Sequence, residues 1–418
     1  FRGSHRLLQH PAVQAADLIH AHNLYGGYFH PFSLIALSHF RPVVWSTHDM
    51  QPLTGYCAHA LDCTRWEIGC GQCPDLTKPG PSLAFDNTAA LWRDKRLIAQ
   101  NSRLWMVGAS SWMAAQLRRS LWREHPIYHI ANGIDTAAFH PIDRAEARRK
   151  MGLPASALIV GSLARGGVLA HPLKGGAHVR AVLETLHREH PEIIFLDLGG
   201  TAPSPEPWIR SLVLSSLDEV RTALSALDFF LYPTLADTAP LSVVEAMACG
   251  LPVVGFDVGG VPDFVTAGEG LLVPPNDTLA LIAAARRLAA DEKLRTTLGR
   301  AARARAVAHF DRTRMAASYE ELYRIAIREH SPSGAPPCAI AAPHSLEEIR
   351  LLQGEMLGLE SKLTQFRAKR AEDETELARL LRHPWLRLGL RLGLVRGSAK
   401  SWLRRRARQI ARRANKNA

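Results

Sequence analysis

Short apolar runs alternate with stretches of helical spacing along most of the 418 residues. Runs at 16–21, 42–49, 104–107 and 127–130 read as buried strands, each too short for a helix and closed by polar or glycine positions. Between them 84–101 has helical spacing, with Trp92 and Leu97 among its apolar positions, and Ser110-Ser111-Trp112 opens a further helix. Strands resume at 158–163, 193–198, 227–232, 251–256 and 271–273. Helices are predicted over 142–151, from Lys174, from Ser216, over 241–248, and from Asp277 to about residue 330. Ser216 and Glu219 form a capping-box start, and Gly250 falls where a helix C′ glycine belongs. Strand, helix, strand with short connections is the βαβ pattern of parallel α/β sheets, whose ligands bind at the carboxyl ends of the strands.

The chain divides by this pattern into 1–140, with a cysteine-rich insertion at 55–75, a second α/β unit at 141–310, and a helix at 311–330. Residues 331–344, with four prolines, read as a linker. Over 345–382, Ile349, Leu352, Met356, Leu359, Leu363 and Phe366 keep spacings of three and four, a short coiled-coil seam. That seam fits either oligomerisation through 349–366 or packing on the chain's own body.

Apolar residues make up 47% of the chain, enough for a sizeable core. The net charge of +12 is smaller than the thirteen Lys and Arg that follow Glu376 with no acid among them, so everything upstream is near neutral. Basicity is therefore a property of the tail, 383–418, where Trp385, Trp402 and regularly placed leucines accompany the arginines. An anionic membrane surface, a nucleic acid and a merely disordered tail are the open readings. Neither an apolar run of eighteen residues nor a signal peptide is apparent, so no spanning helix is expected.

The densest chemistry lies at 232–263. Asp237 follows the strand 227–232, and Glu245, eight positions on, lies in the helix 241–248. The amides of Leu241, Ser242 and Val243 have no intrahelical partner and, with the helix dipole, make an anion site suited to a diphosphate. Glu245 would then accept hydrogen bonds from ribose hydroxyls, and Asp237 from a sugar. The plain alternative puts both acids in solvent. Upstream, Arg165-Gly166-Gly167 and Pro172-Leu173-Lys174-Gly175-Gly176 bring glycines and a lysine to a helix entrance, a phosphate-binding pattern. His48 ends the strand 42–49 on the same side. Cys57, Cys63, Cys70 and Cys73 are spaced C-x5-C-x6-C-x2-C, for which structural zinc, two disulfides and free thiols are the competing readings. Cys249 and Cys338 are isolated and expected to be inert.

Asp237, Glu245, Ala246-Met247-Ala248-Cys249-Gly250-Leu251-Pro252-Val253 and Gly259-Gly260-Val261-Pro262 together resemble the signature of glycosyltransferase family 4, retaining enzymes of the two-domain GT-B fold. The stretch 48–74, with its four cysteines, resembles a subgroup acting in colanic acid and other exopolysaccharide assembly. The resemblance implies two Rossmann-like domains facing a cleft, with the last helix crossing back over the first domain. It assigns the ribose of a nucleotide-diphosphate sugar to Glu245, the transferred sugar to Asp237 and His48, and the diphosphate to Lys174. The family's usual first acid is Glu, one methylene longer than Asp237. Its usual Gly-Arg pair is Gly161-Ser162 here, leaving Arg165 as the substitute. Family members begin with a strand, a glycine-rich loop and a helix, so a first segment of several dozen residues is expected to precede Phe1.

The expected activity is transfer of a sugar to a lipid-linked or polysaccharide acceptor in exopolysaccharide, capsule or lipopolysaccharide assembly. The protein would be cytoplasmic and peripheral at the inner face of the membrane, with the tail on anionic lipid and no nucleic acid partner. No cofactor is expected for catalysis, structural zinc being the one metal in question. An inactive GT-B module serving as an assembly partner, or an epimerase or phosphorylase on the same fold, are the alternatives.

Overall fold

The computed structural model describes residues 4–25, 28–76 and 86–331. The linker, the seam at 349–366, the basic tail and Cys338 lie outside the described residues. The described residues belong to one compact unit. Within it, two parallel sheets each carry helices on both faces.

The N-terminal sheet has the order β1 (Ile19–His22), β2 (Val43–Thr47), β3 (Leu104–Gly108), β4 (Ile127–His129). Its helices are α1 (Pro11–Ala15), α2 (Ser33–Phe40), α3 (Thr88–Asn101) and α4 (Ser111–Arg119). All five residues of β2 and of β3 are buried, as strands covered on both faces must be.

After α5 (Arg144–Lys150) the second sheet takes the order β10-β9-β8-β5-β6-β7. Its strands are β5 (Ile159–Gly166), β6 (Ile194–Gly200), β7 (Ile209–Leu212), β8 (Phe229–Tyr232), β9 (Val253–Phe256) and β10 (Gly270–Val273). The helices are α6 (Gly176–Glu189), α7 (Leu217–Ser225), α8 (Leu241–Ala248), α9 (Val261–Phe264), α10 (Thr278–Ala290), α11 (Glu292–His309) and α12 (Arg312–Glu329). The strand order reverses at β5/β8, which makes the carboxyl ends of those strands the topological switch point. Asp228, just before β8, is buried beside Arg148 at 2.8 Å and accepts Ile159 N–H at 2.7 Å. That buried acid is structural.

Ser216 caps α7 as its spacing predicts, accepting Glu219 N–H at 3.2 Å, while the Glu219 carboxylate turns to Ser215. Gly250 closes α8 with φ +79°. The chain passes between lobes twice, at Ile134 and at Asp311, and the two passages pair: Ile134 N–H donates to Phe310 O at 2.9 Å and Arg312 N–H to Ile134 O at 2.8 Å. From there α12 lies back on the N-terminal lobe. Tyr319 hydrogen-bonds Ser46 at 2.7 Å and Tyr323 hydrogen-bonds His20 at 2.7 Å, with Leu322 and Ala326 buried against Val44 and Val107. Among the described residues no helix is long and apolar enough to cross a membrane.

Candidate active site between the two lobes

Lys174 and Asp237 are brought together by backbone bonding between their two loops. Leu235 N–H donates to Leu173 O at 2.8 Å, and Thr234 Oγ1 donates to the same oxygen at 3.1 Å. Gly175 permits this approach: its φ is +76°, and a Cβ there would lie 1.9 Å from Pro233 O. Lys174 Nζ consequently stands 2.5 Å from Asp237 Oδ2 and 3.2 Å from the Tyr232 hydroxyl. Tyr232 donates to Asp237 Oδ2 at 2.6 Å, and Ala239 N–H donates to Oδ1 at 3.1 Å. Burial opposes ionisation of Asp237, but the Lys174 charge and these hydrogen bonds outweigh it and lower its pKa. Burial, and next the Asp237 charge, push the Tyr232 phenol far up, so the tyrosine is a neutral donor.

The second side of the Asp237 loop is held by the two glycines after β9. Gly260 N–H donates to Asp237 O at 2.9 Å. A Cβ at Gly259, whose φ is +58°, would lie 2.2 Å from Asp237 O, and one at Gly260 would lie 1.9 Å from Thr238 O. Only glycine allows the two backbones to touch in this way.

Glu245 lies one turn into α8, apart from this group. Its carboxyl has no hydrogen bond or ion pair among the described residues, and burial raises its pKa to about 7. Leu241 is exposed and Ser242 half-buried, and Pro240 at the N-cap supplies no side-chain cap, so the first-turn amides of α8 stay available to a ligand. Arg165 is exposed and has no hydrogen bond or ion pair among the described residues.

The N-terminal lobe contributes histidines. His48 Nε2 hydrogen-bonds His22 Nδ1 at 2.9 Å, and the His48 carbonyl accepts the Thr238 hydroxyl from the opposite lobe. His20 lies against His22 with ring centroids 4.0 Å apart and planes tilted by 43°. Burial lowers the pKa of His48, its neighbour His22 adding to the effect, and burial likewise lowers that of His22. His59, in the cysteine-rich insertion, is lowered by burial while the charges of Asp237 and Asp49 pull it back up. Tyr232, His22 and His59 were not singled out by the sequence. Tyr232 reads as the last apolar residue of a strand, and the histidines carry no local motif.

The four cysteines do not assemble a metal centre. Among the described residues no three His, Cys, Asp or Glu gather to hold an ion, and Cys63, Cys70 and Cys73 are free thiols. Cys70 Sγ accepts Gly55 N–H at 3.1 Å, Cys73 donates to Asp75 O at 3.4 Å, and Cys63 and Cys70 pack on the lobe's apolar core. The segment leading into the insertion is tied by Lys95, which donates to Gln51 O and to Thr54 O at 2.7 Å and whose pKa burial lowers to about 8. Trp92 and Trp122 add indole bonds to Trp66 O at 2.9 Å and Pro52 O at 3.0 Å. Burial pushes the Cys249 thiol up to about 12.

Two parallel-sheet lobes that meet at the carboxyl ends of their strands, closed by a helix returning to the first lobe, are the architecture of a GT-B glycosyltransferase. Residues 167–291 match the family described as Glycosyl transferases group 1. The chain is 25% identical over 343 residues to the alpha-maltose-1-phosphate synthase of Mycolicibacterium smegmatis, covering 75% of this chain and 80% of the relative. It is 32% identical over 195 residues to the D-inositol 3-phosphate glycosyltransferase of Saccharomonospora viridis, which spans 42% of this chain and less than half, 44%, of the relative. In fold it is similar to HepE of Anabaena in complex with UDP, with a TM-score of 0.57, 18% identity, and 77% and 82% of the two chains covered.

Proposed function

We propose that the chain transfers a sugar, with retention at the anomeric carbon, from a nucleotide-diphosphate sugar to a lipid-linked or polysaccharide acceptor. The observation that carries this reading is the convergence of Lys174, Asp237 and the open N-terminus of α8 at the carboxyl end of β8. Lys174 and the amides of Leu241 and Ser242 offer positive potential where charge grows on the departing diphosphate. Asp237 faces the sugar, Glu245 takes the ribose hydroxyls, and His48 reaches in from the other lobe. The acceptor attacks on the side the diphosphate leaves from, and the phosphate takes its proton. The UDP bound by HepE supports the donor class.

The acceptor class rests on the resemblance of 48–74 to exopolysaccharide enzymes and on the basic tail. On this reading the protein is cytoplasmic and held at the inner membrane face, and sedimentation with vesicles rich in anionic lipid would be lost on deleting 383–418. Thermal-shift screening against UDP, GDP and ADP tests the donor, since a ligand at a hundred times its Kd stabilises by about 2.7 kcal/mol. Glu245→Ala is expected to abolish that shift and Lys174→Ala to reduce it; donor binding that survives Glu245→Ala contradicts the ribose assignment.

The exposed, unpaired Arg165 and the short Asp237 favour a second reading, a catalytically inactive GT-B module acting as an assembly partner. Turnover of a labelled donor, even slow hydrolysis, excludes it.

A further inference from the structure

Lys174 is not a free cation waiting for phosphate. Its ammonium lies 2.5 Å from Asp237 Oδ2, 3.2 Å from the Tyr232 hydroxyl and 5.5 Å from the centre of the Tyr232 ring. Tyr232 is 4% exposed, and it donates to the same carboxylate oxygen at 2.6 Å while also hydrogen-bonding Ser242 at the start of α8. Asp237 Oδ1 is held separately by Ala239 N–H at 3.1 Å. A diphosphate that reaches Lys174 therefore meets a carboxylate already paired with it. In a half-buried site two anions sharing one ammonium repel strongly unless one of them finds another donor.

We infer that donor binding proceeds by exchange of the Lys174 ion pair. The diphosphate takes the ammonium, and Asp237, kept in place by Tyr232 and Ala239 N–H, compensates by accepting a hydroxyl from the transferred sugar. This rests on the donor-site reading above and deepens it. Asp237 is then an internal competitor of the diphosphate, and Tyr232 is a positioning residue that keeps the released carboxylate aimed at the sugar. A nucleoside diphosphate without its sugar strands Asp237; a nucleotide sugar does not. Discrimination in favour of the complete donor follows from the same three side chains. The length of Asp237 matters here, because the ion pair to Lys174 and the bond from Tyr232 both end on its Oδ2.

Calorimetric Kd values for UDP, GDP and ADP, each alone and as its glucose conjugate, test the exchange in wild type, Asp237→Asn and Tyr232→Phe. Asp237→Asn removes the competing charge with little change of shape, so the bare diphosphate is expected to bind roughly tenfold more tightly. Its glucose conjugate gains less or loses affinity, so the preference for the complete donor shrinks or inverts. Tyr232→Phe is expected to leave bare diphosphate binding within a few-fold of wild type while lowering kcat and the preference for the conjugate. A diphosphate Kd unchanged or weakened in a folded Asp237→Asn protein, as judged by an unaltered unfolding transition, overturns the exchange and leaves the donor site standing. Failure of all three nucleotide pairs to bind wild type overturns both.

Discussion

The carboxylate of Asp263, in the second lobe, accepts the backbone N–H of Trp112, in the first, at 3.1 Å. Trp112 is the second residue of α4, so its amide has no partner within the helix, and an anion at that end is also favoured by the helix dipole. Ser111 Oγ donates to the other oxygen of Asp263 at 2.5 Å, while Ser110 caps Met113 from within its own lobe. One lobe thus completes the N-cap of a helix in the other. Asp263→Ala is expected to cost about 1 to 2 kcal/mol of stability, the usual worth of a cap, and to weaken donor binding by loosening the two lobes. Thermal unfolding and donor Kd measure the two effects. Asp263→Asn, which keeps an acceptor oxygen, should recover part of both, and equal loss in the two variants would count against a capping role.

The Asp237 loop has no room on the side of Gly260. A methyl there would fall 1.9 Å from Thr238 O and 2.8 Å from Ser110 Oγ, so Gly260→Ala must push the loop off the glycine turn or away from the other lobe. Misplacement on the order of 1 Å at a reacting group costs about a hundredfold in rate. Gly260→Ala is therefore expected to lower kcat by roughly that factor with a smaller change in the nucleotide Kd, because Glu245 and α8 are not displaced. Steady-state kinetics beside nucleotide titration separate the two, and an unchanged kcat would mean that the Asp237 loop is not held from this side.

How far the sequence could reach follows from the range of each interaction. The helix 241–248 was legible to the residue because its C′ glycine and its apolar run are local, and α12 lies over the first lobe as the family resemblance implied. The edge strand Ile209–Leu212 was not legible: one of its four residues is buried, so it shows no period, and prolines precede it. The second layer of the site was hidden for another reason. Tyr232 to Lys174, Thr238 to His48 and Asp263 to Trp112 join residues 58 to 190 positions apart, and nothing in the neighbourhood of either partner announces the other. The cysteine spacing left zinc, disulfides and free thiols all open, because spacing describes which thiols could converge and says nothing of what else ties the loop. Here a half-buried lysine and two indoles tie it and the residues leading into it.

His48 shares one proton with His22 across 2.9 Å, so one ring donates and the other accepts. Burial, joined by the charge of His22 in the case of His48, keeps both pKa values below 6.5. Because the folded values lie below the unfolded one, stability is full above about pH 6.5 and is lost as pH falls through that value toward the folded pKa. Activity should fall on the same acid limb, since a second proton ends the shared bond and turns the pair against itself. His22→Gln is expected to lower kcat and move the acid limb of the kcat profile, with the nucleotide Kd unchanged. A kcat profile identical to wild type would leave His22 a packing residue.

Glu245 carries the clearest pH signature of the site. Its carboxyl is unpaired among the described residues, and burial raises its pKa from 4.5 to about 7. Between those values the folded protein holds a proton that the unfolded chain has released, so stability declines as pH rises through this window and levels off above 7. Glu245→Gln keeps the neutral shape and should be more stable than wild type at pH 8, by on the order of 1 to 3 kcal/mol, and no different at pH 4. Binding runs the opposite way. Ribose hydroxyls donate to the carboxylate, so a nucleotide sugar selects the ionised form and its affinity should rise from pH 6 to pH 8 in wild type. The conjugate is the right probe, because a free terminal phosphate ionises near pH 6 and would imitate the effect. Glu245→Gln should bind weakly and without this slope. A wild-type affinity independent of pH would show that the nucleotide does not meet this carboxylate, since Asp237, held low by Lys174, stays ionised throughout.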